Sequence, residues 1–196
     1  MCIMCSGKDQ RWLERKIISD VKRCGWHVTL VHSNDGPPWA YTIGLHRAFR
    51  HPEILLFGLP EKSLGAIVTE LGRAVRSGRS FQHDSVFRDD SVTHPLVFKR
   101  VARLWYPEIL VNANWFNGGL DYPALQCVWP DEQGRFPWQP GFNRHWLEHQ
   151  PLLYEVGLRS PRQPWGVRDG AAPPGWRSFR RTAAGRDSSA RTTPSG

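Results

Sequence analysis

The chain has 196 residues, is 40% apolar and 12% aromatic, and carries a formal net charge of +8. Such a length suits one domain and a tail, with enough apolar content for a workable core. No stretch approaches the ~18 consecutive apolar residues of a membrane span. The charge is uneven: residues 157–196 hold eight Arg against Asp169 and Asp187, or +6, which leaves only +2 for residues 1–156. A nearly neutral body is a poor phosphate-gripping surface, so the basicity belongs to the tail and argues against a nucleic-acid-binding domain.

The opening "MCIMCSGKDQRW" lacks the basic region and long apolar segment of a secretory signal, so a cytoplasmic location with four reduced cysteines is expected. In residues 9–24 the apolar Leu13, Ile17, Val21 and Cys24 fall on one helical face, with Asp9 as N-cap and Gly25 as the stop. "WHVTLVHS" reads as a strand closed by the turn cluster "NDGPP".

"AYTIGLH" alternates: Tyr41, Ile43 and Leu45 form a core face, while Ala40, Thr42, Gly44 and His46 form a small, polar one. On that second face a helix or a ligand can approach the backbone closely. "RAFRHP" connects to the next strand, with Pro52 holding His51 extended. "EILLFGL" is apolar on both sides, the pattern of a strand covered on both faces. Pro60 suits a helix start, and Leu64, Ile67, Val68, Leu71 and Val75 mark an amphipathic face ending near Gly78.

"VFKRVARL" (97–104) predicts another strand. Residues 105–146 then interleave ten aromatics with Pro and Gly. Within them "PALQCVW" predicts a strand, "PDEQG" a turn, "RFPWQPGF" an extended proline-fixed segment, and "NRHWLEHQPLLY" a last short helix. The elements amount to an α+β domain over residues 1–156, a mainly antiparallel sheet with helices packed on it. Residues 157–196 predict a disordered basic tail rich in Arg, Pro, Gly and Ser.

"MCIMC", "WAYTIGL", "HPEILLFGLP", the Trp105–Tyr106 pair and "PALQCVWPDEQGRFPWQPGF" occur in that order and together resemble the bacterial family called domain of unknown function 4262. The resemblance spans roughly residues 1–153 and omits the Arg-rich tail. It implies a compact bacterial cytoplasmic domain whose marked positions are Tyr41–Leu45, His51–Glu53 and Gln126–Trp138. It carries over no reaction, ligand or partner.

Four constellations offer chemistry. Cys2-x-x-Cys5 with Cys24-x-x-His27 has the ligand types of a structural zinc site. The intervening helix is ~21 Å long, and Met1–Lys8 would have to retrace it, so zinc is possible but not favoured. Cys2 alone, once Met1 is removed, could use its own α-amine as base for an N-terminal nucleophile. His46, His51 and Glu53 fall at one end of the predicted hairpin, where they could bind zinc or iron or work as a base and its orienting partner. Against this, Arg47 and Arg50 could pair with a merely solvated Glu53.

The last constellation is aromatic. Trp129 and Trp138, with Phe136 and Trp115, could stack on a ligand or cap the core instead. Gln126 sits mid-strand and must find backbone or ligand partners if buried, and Asp131 fits a turn. Tyr41, Thr42, Gly44, Gln126, Trp129, Asp131 and Trp138 are thus the candidate ligand-binding set. The tail could hold nucleic acid or an acidic surface without sequence preference. The residues point to a ligand- or protein-binding accessory domain. A small hydrolase or metal-dependent enzyme, using His46, His51 and Glu53 or Cys2, is the alternative.

Overall fold

A computed structural model describes residues 10–33, 36–90 and 92–154. Asp9, Cys2, Cys5, the Asn34–Asp35 turn and the tail expected over 157–196 lie outside the described residues. The first helix, α1 (Gln10–Cys24), buries Leu13 and Ile17 and ends at Gly25, as the spacing predicts. Strands β1 (His27–Val31), β2 (Trp39–Ile43) and β3 (Glu53–Phe57) follow, each paired antiparallel with the next. The connection between β2 and β3 is not plain coil. It contains a short helix, α2 (Leu45–Phe49), which Arg50 closes in the left-handed region at φ 53°.

Helix α3 (Glu61–Arg76) buries Leu64, Val68, Leu71 and Val75. After it come β4 (Val86–Phe87), β5 (Leu96–Arg100), two short helices α4 (Tyr106–Ile109) and α5 (Val111–Asn117), and β6 (Ala124–Val128). The six strands lie in the order β1-β2-β3-β6-β5-β4. Only the β3–β6 pair is parallel, with Ile54 opposite Leu125; β5 pairs antiparallel with both β4 and β6. The fold is therefore α+β with a mainly antiparallel sheet.

Both faces of that sheet are covered. On one, α3 packs over Ala40, Ile54, Leu56, Phe98, Leu125 and Cys127. On the other, Leu13 and Ile17 of α1 join Tyr106, Ile109 and Ala113 over Tyr41, Ile43, Leu55 and Phe57. This explains why "EILLF" is apolar at every position except its first: β3 is central and buried throughout. Gly72 lets α3 come close, because a Cβ there would lie 2.5 Å from the Trp26 indole.

Two expectations are corrected. Residues 137–141 form successive turns, not an extended segment, because Asp131 and Gln139 draw the chain back on itself. The strand expected over 97–104 stops at Arg100, where Val101 N–H turns to the Ala124 carbonyl and a short 3₁₀ turn, Arg103–Trp105, begins. Residues 106–109 and 111–117, for which the sequence predicts no element, are helical. The last helix is also 3₁₀, Arg144–Glu148, with Asn143 as its N-cap.

Gly58 ends β3 at φ 75°, and a Cβ on it would lie 2.0 Å from the His149 carbonyl oxygen. Gly58→Ala combines left-handed strain with a backbone clash, so we expect a loss of about 2–4 kcal/mol in urea unfolding. An unchanged midpoint would show that residues 144–149 do not bear on β3.

Candidate functional site

Thr42, Gly44, Leu45 and His46 converge on one side chain, Glu53, which is 0% exposed. Its Oε1 accepts hydrogen bonds from Gly44 N–H at 2.8 Å and His46 N–H at 3.2 Å. Its Oε2 accepts from the Thr42 hydroxyl at 2.7 Å and Leu45 N–H at 3.3 Å. Thr42 Oγ1 also accepts the Ile54 N–H, which leaves its own proton to donate to the Glu53 carboxylate. Gly44 makes the arrangement possible: at φ 110° it turns three successive N–H groups inward. The close approach foreseen at Gly44 is made by α1, since a Cβ there would lie 2.8 Å from Val21 Cγ2.

Burial pushes the Glu53 carboxyl up to about 7, against the pull of those four bonds. Three of the four partners are backbone N–H groups that can only donate, and they favour the anion; the Thr42 hydroxyl alone could turn to accept a proton from Oε2. The geometry is built for the anion, and the anion satisfies the first N–H groups of α2 in place of a local cap.

Glu53 is therefore neither a solvated strand end nor a partner of Arg47 or Arg50, as the charges nearby in sequence suggest. His46 sits on α2 and not on the strand face; its ring tilts against Tyr122 at 6.4 Å, and its Nδ1 is buried without a hydrogen-bond partner among the described residues. His51 points elsewhere. Its Nδ1–H donates to the Pro52 carbonyl at 2.7 Å and its Nε2 accepts the Phe81 N–H at 2.8 Å. The Phe81 contact requires the neutral ring, and burial lowers its pKa, although the Pro52 contact opposes burial.

The remaining candidates are dispersed. Tyr41 is buried, accepts the Asn112 N–H at 3.4 Å, and has its pKa pushed up to about 12 by burial. Gln126 finds backbone partners: it donates to the Pro151 carbonyl at 2.7 Å and accepts the Leu153 N–H at 2.9 Å. Trp129 is a core residue whose indole N–H donates to the Phe57 carbonyl at 2.9 Å. Asp131 accepts the N–H groups of Gln133, Arg135 and Asn143 and the Arg135 guanidinium. Burial raises its pKa, but these bonds outweigh burial and hold it below the usual range.

Of the set, only Trp138 is open to solvent, at 43% exposed; it stacks on Phe136 and covers the Lys99 ammonium at 4.1 Å. Cys24 and His27 both turn to Asp20, the thiol to its carbonyl at 3.0 Å and Nδ1 to its carboxylate at 2.8 Å. Among the described residues no group of three or more His, Cys, Asp or Glu is placed to hold a metal ion. None of their helices is long and apolar enough to cross a membrane.

Sequence reasoning missed Gln150, which repeats the Gln126 device by donating to the Trp129 carbonyl and accepting its N–H. It also missed the Tyr122–Asn114–Tyr106 chain, in which the phenol donates to Asn114 at 2.6 Å. An amide three residues before Leu153, at the edge of an apolar run, was the available signal for Gln150; nothing local announces Asn114.

The family model described as "Domain of unknown function (DUF4262)" matches residues 20–143, and the chain belongs to that family. The match omits "MCIMC", so the terminal cysteines are not part of it. No curated protein and no solved structure matches the chain.

Two outcomes follow. Glu53→Gln turns an NH₂ towards at least one backbone N–H, and a buried donor left unpaired costs about 1–3 kcal/mol, so we expect a loss of that order. A near-neutral effect would mean that Glu53 holds a proton. For His51 the folded pKa lies below the ordinary 6.5, so its contribution is complete above that pH and is lost as pH falls below it. The stability gap between wild type and His51→Ala should therefore narrow from pH 7.5 to pH 5 in thermal melts.

Proposed function

We propose that this domain binds and does not catalyse: a ligand- or protein-binding accessory domain of the cytoplasm. The observation that carries the reading is the saturation of its acid–base groups. Glu53 and Asp131 each accept four hydrogen bonds from the chain itself, and both ring nitrogens of His51 are engaged. A general base has to reach a substrate proton with a free lone pair, and these groups have spent theirs on holding loops. The cytoplasmic setting suits the free thiols of Cys24 and Cys127.

The hydrolase alternative narrows to His46, whose buried Nδ1 lacks a partner among the described residues, and to Cys2, which lies outside them. It has one clear test. The full chain should show no turnover of model ester, amide and phosphate substrates. A bound small molecule should instead raise its melting temperature, since ligand at 100 times its Kd stabilises by about 2.7 kcal/mol. Turnover that disappears in His46→Ala or Cys2→Ser while the melting temperature holds would overturn the reading.

A further inference from the structure

The 3₁₀ turn Arg144–Glu148 and the residue after it bring two imidazoles together away from the Glu53 region. The rings of His145 and His149 lie with centroids 5.5 Å apart and planes at 73°. Two imidazoles that bind one ion through nitrogen at about 2.0–2.1 Å have centroids about 5–6.5 Å apart, so this spacing is that of a chelating pair. We propose that His145 and His149 form a two-histidine site for a late first-row divalent ion, with Ni²⁺, Cu²⁺ and Zn²⁺ as its chemical class.

The surroundings support the pair in two ways. The Glu148 carboxylate lies 3.9 Å from His145 Nδ1, too long for a hydrogen bond. It is close enough to favour the proton on Nδ1 and leave the Nε2 lone pair for a metal, as carboxylates behind metal-binding histidines do. The scaffold is also rigid. Beside both rings, Trp146 is buried and packs edge-on against Trp129 at 5.2 Å. On the far side, the His149 carbonyl rests against Gly58, and Gln150 is bonded to Trp129 at both ends of its amide.

An ion at this site has two protein ligands and completes its shell with water, as a catalytic or exchangeable site does and a closed structural one does not. Imidazole suits this class of ion, and Cu²⁺ should bind most tightly within it.

The site differs from the Cys2, Cys5, Cys24, His27 and the His46, His51, Glu53 constellations and does not depend on the binding reading above. The test is a titration of the tag-free full chain with Ni²⁺, followed by the imidazole resonances. The rings of His145 and His149 should broaden first and together. His145→Ala, an exposed change, should cut affinity by at least about tenfold, and His149→Asn should do the same. His46→Ala should leave the affinity unchanged. Broadening that begins at other histidines, or equal affinity in His145→Ala, would overturn the assignment.

Discussion

The carboxylate of Glu53 is the point on which the centre of the fold depends. A buried carboxylate is costly unless donors surround it. Here the chain supplies four, three of them consecutive N–H groups at the turn out of β2. The same contacts join β2 to the start of β3, hold Thr42 in one rotamer and start α2. Because the Glu53 N–H also donates to the Pro123 carbonyl, this residue begins the parallel pairing with β6 as well. One side chain thus ties together two strands, a short helix and the seam of the sheet.

A second theme is the use of polar side chains as substitutes for a sheet ladder. Gln126 and Gln150 each give and accept one backbone hydrogen bond, as a strand residue would. Between them they dock residues 150–153 across β6 although that segment is no strand. Asp131 does the same for the turns at 133–143 with its carboxylate. This explains why so many of the polar residues that look functional are buried. They are the means by which loops with few apolar contacts are held, in keeping with the rule that buried polar groups find partners.

The regular elements were readable because their signals are local. The four- and three-residue spacing in α1 and α3, the alternation in β2 and the apolar run of β3 each follow from which face is covered. Helices α4 and α5 were not readable: "YPEILVNANWFN" mixes Asn, aromatic and β-branched residues, all weak helix formers, and gains its shape from packing under the sheet. Helix α2 is hidden for another reason, since its stabilising anion lies beyond its C-terminal end in sequence. The same limit governs Glu53 itself. Its neighbours in sequence are Arg47 and Arg50, but its partners are main-chain groups that face inward only after Gly44 has turned. Gln126 announced a need for partners; residues 151 and 153 as the answer could not be read locally.

The lone parallel seam has a consequence for how the molecule assembles. The β1–β2–β3 ribbon and the β4–β5 pair are joined through short connections, so each can form from neighbouring stretches of chain. The join between them, β3 against β6, must wait until α3, β4, β5 and both short helices have been laid down. Distant pairings of this kind slow a fold, because the intervening chain loses its freedom before the contact is made. Until then β3, apolar along almost its whole length, has one edge open. The most distant of these pairings is therefore also the one that hides the segment most able to stick to another chain.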